Sequence, residues 1–188
     1  MIHEVKFSKL FLVPDANRTK RSIVNSLMMH LLEEKSSKQH GYYLAITKVE
    51  SNGGEVQSIP NIGMVVMHMV FRCRMFLPVV GETLEGIVYA VKPLGVMIKC
   101  GPTKGVYLSA RKMPGYNLVT GGVGYFQNDQ LDRIESGVVV RFMVLSVKWV
   151  ENISIPDSFK REFLMLASLE TGESFGPVSL PGFDNSDI

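Results

Sequence analysis

The sequence holds only two cysteines, Cys73 and Cys100, in 188 residues. They are too few and too far apart for a disulfide-stapled fold or a cysteine-based structural zinc site. Long hydrophobic runs are missing as well. The stretch that begins at Ile62 stops at His68, far short of the roughly 20 residues that cross a bilayer. The chain opens Met1-Ile-His-Glu-Val-Lys6, without a basic segment followed by a long apolar one, so no secretory leader is expected. A reduced, intracellular protein is the reading, with no membrane partner. Charge of one sign is also scarce: 20 basic against 18 acidic residues leave +2, which excludes a histone-like or arm-type nucleic-acid binder. His3, His30, His40 and His68 are scattered and lack ligand spacing, so neither a metal nor another cofactor is expected. No phosphate loop, carboxylate pair or nucleophile with a neighbouring base stands out. An enzyme with a small-molecule substrate is not indicated.

What is present suits a folded chain. Hydrophobic residues make up 46% and charged ones 20%, enough to bury a core and to set disorder aside. Residues 1–77 carry ten bases against six acids, and residues 78–188 carry ten against twelve. Neither part binds nucleic acid by charge alone, so any contact must rest on local geometry.

Periodicity divides the chain near Leu77-Pro78. Ile2 to Val13 reads as a strand that stops at Pro14-Asp15. Ile23, Val24, Leu27, Met28, Leu31 and Leu32 recur at helical spacing and are expected to share one apolar face, with Asn17 or Thr19 as the cap. Tyr42 to Val49, a short piece ending near Pro60, and Met64 to Phe76 read as strands, with Gly53-Gly54 as a turn. The expectation for residues 1–77 is a small α+β domain. From Gly81 onward five β-rich runs follow: Glu82 to Lys92, Leu94 to Cys100, Gly105 to Ser109, Val138 to Val150 and Phe163 to Leu169. Short strands divided by Gly and Pro, with one long connection, predict a five-stranded oligonucleotide-binding (OB) type barrel over residues 78–178. Ala110 to Gly137 is expected as a long Gly-rich loop, and loops of that length are commonly functional. Residues 179–188 read as a polar, flexible tail.

Three segments carry a resemblance. Val80-Gly-Glu-Thr-Leu-Glu-Gly-Ile-Val88, Pro93-Leu-Gly-Val-Met-Ile-Lys99 and Lys104-Gly-Val-Tyr-Leu-Ser109 are similar to RNA-binding barrels of the ribosomal "S-one" type. Gly86 and Gly95 fit close strand crossings where a side chain would clash. The order of an N-terminal α+β domain, Phe76-x-Pro78-x-x-Gly81-Glu82, a barrel and Cys100-Gly-Pro102 is more specific. It resembles the stalk subunit of cellular RNA polymerases, the seventh subunit of eukaryotic polymerase II and the E subunit of archaeal polymerase. Lys112-Met-Pro114, Val147-Lys-Trp149 and Leu166-Ala-Ser-Leu-Glu170 look like plant versions, including those of silencing polymerases IV and V. The resemblance spans about residues 1 to 178.

The resemblance implies a noncatalytic nuclear subunit of DNA-templated transcription, with a link to small-RNA-directed silencing. It implies a tip that docks beside the clamp of the polymerase core, a fourth-subunit partner and a barrel that contacts nascent RNA weakly. The core-docking candidates are Pro14, Asp15, Asn17, Arg18, Gly53, Gly54, Pro60 and Asn61, at the turns of the tip. Met64, Met67 and Met69 are partner-interface candidates, with a core position as the competing reading. For RNA, Tyr107 and Tyr89 offer ring faces on which bases stack, worth ~1–3 kcal/mol per base, against the reading of Tyr107 as a packed tyrosine capping the barrel. Lys99, Lys104, Arg111, Lys112, Arg141 and Lys148 offer phosphate contacts, against the reading of each as a solvated surface charge. Two departures from the family pattern stand out. Leu94-Gly-Val-Met97 replaces a turn that usually carries aromatics, which predicts modest RNA affinity. Ile153 to Ser158 is longer than the usual turn. A free-standing RNA-binding adaptor, such as an exosome or translation factor, is the alternative function.

Overall fold

A computed structural model describes residues 1–14, 19–51, 55–59, 63–122, 124–152, 160–170 and 174–178. The chain divides into two compact units, Met1–Leu77 and Pro78–Ile188.

The first unit is a small α+β domain built on β1 (Ile2–Pro14), α1 (Lys20–Glu34), β2 (Ser36–Ser37), β3 (Gly41–Ser51), β4 (Glu55–Ile59) and β5 (Met64–Phe76). β5 is its central strand. β1 pairs antiparallel along its whole length, from Ile2 opposite Phe76 to Pro14 opposite Met64. The other edge of β5 is shared in tandem, by β3 near Phe76 and by β4 near Met64. The period of two in these strands sends Phe7, Phe11 and Val13 of β1 and Val65, Met67, Met69, Phe71, Cys73 and Met75 of β5 to one side. There they meet Ile23, Leu27 and Leu31 of α1 in a single core.

Thr19 caps α1, its hydroxyl accepting from the Ser22 N–H at 3.3 Å. The six apolar helix residues do not all go inside. Ile23, Leu27 and Leu31 are buried, Val24 is half-buried, and Met28 and Leu32 are exposed. At about 100° per residue the six fan over half the helix circumference, wider than the stripe one sheet can cover. At the far end of the helix, Glu34 accepts from Lys9 of β1, whose ammonium also donates to Tyr43.

The second unit is β-rich. Its long strands are β6 (Thr83–Lys92), β7 (Gly95–Cys100), β8 (Thr103–Ser109), β12 (Val139–Asn152) and β13 (Lys160–Ser168). β6, β7 and β8 pair antiparallel in sequence order, and β12 pairs with β6. β13 lies antiparallel to β12 and parallel to β8. Each of the five therefore has a partner on both sides. Val88, Val96, Ile98, Val106, Leu108, Phe142, Val144, Met165 and Ala167 alternate inward and are buried. A Cβ on Gly86 would lie 2.5 Å from Ile98 Cγ2 and 2.7 Å from the Lys99 carbonyl oxygen. One on Gly95, at φ +149°, would lie 2.3 Å from the Leu108 carbonyl oxygen. The two glycines are what lets β7 sit against β6 and β8.

The stretch expected as one long loop is partly ordered. A 3-10 turn at Ala110–Lys112 leads into a small antiparallel sheet of β9 (Asn117–Val119), β10 (Tyr125–Gln127) and β11 (Arg133–Ile134). Phe126 and Ile134 are its buried residues. Strands of two or three residues are too short to leave a periodic signal. β14 (Gly176–Pro177) adds a last pairing to β12. Among the described residues no helix is long and apolar enough to cross a membrane.

Gly86→Ala is expected to cost about 1–3 kcal/mol, because strand backbone must move to admit one methyl group; chemical denaturation of the full chain measures it. Acid sensitivity is expected from the first unit. Lys6, and next to it Arg72, hold the Glu50 carboxyl down to about 2 from 4.5. A depressed carboxyl stabilises the fold above its unfolded pKa and loses that contribution as pH falls toward 2. Glu50→Gln should flatten the stability profile between those values, read by denaturation at stepped pH.

Candidate nucleic-acid interface

The outward side of the second unit follows from its inward side. With Val96 and Ile98 inside, Met97 and Lys99 face out. With Val106 and Leu108 inside, so does Tyr107, and with Met165 and Ala167 inside, so do Leu164 and Leu166. The strand register sets these side chains next to one another. Ile87 lies opposite Lys99, Met97 opposite Tyr107, Tyr107 beside Leu166, and Leu164 opposite Lys148. The result is an aromatic and aliphatic strip crossing β6, β7, β8 and β13, with lysines along it.

Both tyrosines are fixed by their hydroxyls. Tyr107 donates to the Leu94 carbonyl at 2.7 Å, tying β8 to the β6–β7 turn. Tyr89 donates to the Lys104 carbonyl at 3.0 Å, reaching from β6 past β7 to β8. Each hydroxyl is thus satisfied within the sheet, and the rings are held in place. Tyr89 is 42% exposed and Tyr107 partly so.

The six basic candidates separate into two groups. Lys112 is bound to Glu170 at 2.8 Å and Arg141 to Glu85 at 2.7 Å. Lys99, Lys104, Arg111 and Lys148 are exposed and form no ion pair among the described residues. An incoming phosphate meets those four without having to break an existing pair. The Leu94 side chain at the turn is 76% exposed, so the turn ends in an aliphatic tip.

A cleft of about 750 Å³ in the same unit is lined by Tyr116, Asn128, Asp132, Glu170 and Phe175 among others. Its two carboxylates disfavour phosphate, which leaves the strand face as the better candidate for nucleic acid. Burial, with Asp132 adding to it, pushes the Tyr116 hydroxyl above its usual pKa. The thiols are not reactive groups here. Cys73 and Cys100 are buried and free, and burial, followed by the Glu82 charge, raises Cys100 to about 11. Among the described residues no group of three His, Cys, Asp or Glu side chains is placed to hold a metal ion.

In the first unit, Met67 and Met69 lie inside the core under α1, at 8% and 0% exposure. They fill the interior and offer no surface to a partner. The odd-numbered positions of β5 face the helix, and the spacing of the two methionines puts both on that side. Met64 is half-buried on the opposite face, opposite Pro14, which is exposed. Asp15, Asn17, Arg18, Gly53, Gly54, Pro60 and Asn61, and the turn 153–158, lie outside the described residues. The sequence reading missed Ile87, Leu164 and Leu166, which share the strip with the two tyrosines. The signal was there in β13, where apolar residues continue through consecutive positions from Phe163 to Ala167 and so must face both ways.

The strip is one continuous outward face of the second unit. Comparison with known proteins gives the family. The chain is 38% identical over 173 residues to the DNA-directed RNA polymerase subunit 7-like protein of Arabidopsis thaliana, covering 86% of this chain and 85% of that one. It is 36% identical over 161 residues to subunit 7 of RNA polymerase V from the same plant, covering 85% of each. It is 36% identical over 157 residues to subunit 7 of its RNA polymerase IV, covering 84% and 85%. No family model matches the chain. The chain belongs to the subunit 7 family of DNA-directed RNA polymerases, noncatalytic stalk subunits. Membership replaces the free-standing adaptor as the reading of this chain.

Tyr107→Phe deletes the bond to the Leu94 carbonyl and leaves the ring. Its expected cost is about 1 kcal/mol, while Lys112→Ala, at an exposed pair, should cost less than that. Urea unfolding of each variant, followed by Trp149 fluorescence, distinguishes the two.

Proposed function

We propose that this chain is the stalk subunit of a nuclear polymerase of the silencing type, IV or V. In this reading residues 1–77 dock on the polymerase core and pair with the fourth subunit. Residues 78–178 form an OB-type barrel beside emerging RNA; the tail, residues 179–188, lies outside the described residues. The names of the two 36% identical relatives support polymerases IV and V. The arrangement of β12, β13, β8, β7 and β6, each paired on both sides, supports a barrel.

The observation that carries the RNA contact is the strip itself. Tyr89 and Tyr107 are anchored by their own hydroxyls and flanked by lysines that form no ion pair among the described residues. Rings of that kind stack on bases of any identity, which suits a transcript whose sequence varies. Four such basic side chains give little electrostatic grip. Positioning is the mechanism: tip docking holds the stalk, and the barrel raises the local concentration of transcript near the exit.

Affinity purification of the tagged chain from plant nuclear extract, with mass spectrometry of stoichiometric partners, tests the assembly. Large polymerase subunits and a small helical partner are expected, and the largest subunit names the polymerase. Ribosomal or exosome proteins without polymerase would sink the reading. For the barrel, RNA binding should weaken with a log–log salt slope no steeper than about −3, four phosphates at ~0.7 each for a single strand. Tyr107→Ala is expected to weaken binding about tenfold with the slope unchanged. A slope near zero, or a Tyr107→Ala variant that binds as the parent does, would rule out this strip as the RNA face.

A further inference from the structure

The core of the first unit consumes only part of the apolar surface of α1. Ile23, Leu27 and Leu31 lie under the helix, whereas Met28, Met29 and Leu32 are 48%, 59% and 63% exposed. Val24, Met28 and Leu32 are spaced by four, so with half-buried Val24 they form one ridge along the flank of the helix. Single exposed apolar residues need no explanation, but a continuous ridge with Met29 beside it does.

Basic residues stand at both ends of the ridge, while Glu33, exposed and four residues after Met29, stands beside that methionine. Arg21 stands three residues before Val24, and Lys35 three residues after Leu32, so each lies about one turn beyond an end of the ridge. Lys35 is held by its N–H, which donates to the Leu31 carbonyl at 2.9 Å, and by its carbonyl, which accepts from the Tyr43 N–H at 3.2 Å. Both side chains are exposed. Three carboxylates of this unit are engaged elsewhere: Glu4 and Glu50 with Arg72, Glu50 also with Lys6, and Glu34 with Lys9. Glu33 projects about 100° around the helix from Leu32. Neither Arg21 nor Lys35 forms an ion pair among the described residues.

We propose that the outer flank of α1 docks a helix of a partner protein, one with an apolar face and acidic residues at both ends of the contact. The ridge of four-spaced side chains selects a helix, because such ridges pack into the grooves of another helix. Its basic ends select acidic neighbours and reject basic ones. Met28 and Met29 add side chains that adapt to the surface they meet. The proposal rests on the stalk reading, since it assigns a protein contact to the docking unit, and it relocates that contact from the buried Met67 and Met69 to the helix.

The test uses the full tagged chain purified from plant nuclei, with a photo-crosslinking residue in place of Leu32. The crosslinked peptide is expected to come from a helical segment with acidic residues flanking apolar ones. Met28→Ser with Leu32→Ser should lower retention of that partner about tenfold. Arg21→Glu with Lys35→Glu should release it at lower salt, and matching charge reversal on the crosslinked segment should restore it. All four positions are exposed, and unchanged circular dichroism and melting temperature verify folding. If the unaltered chain brings down polymerase subunits and both double variants bring them down equally, the ridge is not the docking site. A crosslink to a basic or non-helical segment also overturns it. If the unaltered chain recovers no polymerase subunit, the stalk reading itself fails, and this role of α1 fails with it.

Discussion

The alternation of side chains along a β-strand governs what each unit of this protein presents. Once one face of β5 is committed to the core beneath α1, every odd-numbered residue from Val65 to Met75 is removed from the surface. In the second unit the same rule runs across five strands. Val96, Ile98, Val106, Leu108, Met165 and Ala167 go inside, and Met97, Tyr107 and Leu166 are thereby turned outward in one row. The outward face is the complement of the core. A one-residue slip in any of these registers would exchange the two sets.

The outward row has a division of labour. Hydroxyl bonds to the Leu94 and Lys104 carbonyls hold Tyr107 and Tyr89 on the sheet, so their rings need no ordering when a ligand arrives. Ion pairs remove Lys112 and Arg141 from the cations available to a ligand. What is left is a stacking surface with a thin border of charge. The composition of the strip suits the proposed role, in which a transcript already tethered through the polymerase needs no tight binding by this subunit.

Much of the architecture was legible in the residues. Thr19 before the helical run, the alternation in Ile2 to Val13 and the glycines at 86 and 95 each report a local steric or hydrogen-bonding demand. Local demands leave local traces. The small sheet of β9, β10 and β11 was not legible, because three residues hold less than two periods of alternation. The helix was legible as a helix, yet its six apolar residues were taken together although the sheet covers only Ile23, Leu27 and Leu31. Met67 and Met69 were ambiguous for a related reason: β5 is apolar on both faces at that end, and sequence alone does not say which face α1 lies on.

By itself the sequence determined the helix and the long strands, the change of character at Leu77-Pro78 and the family resemblance, since these depend on spacing and on residue types within short windows. The tertiary structure decided which charges are paired. Arg141 and Lys148 look alike in the sequence, but Glu85 lies within reach of Arg141, 56 positions away in the chain. It likewise decided that Leu164, Leu166, Met97 and Tyr107 form one surface. Their adjacency comes from the parallel pairing of β8 with β13 and the antiparallel pairing of β7 with β8, and contacts between segments so distant in the chain are set by how the strands pair, which no local window contains.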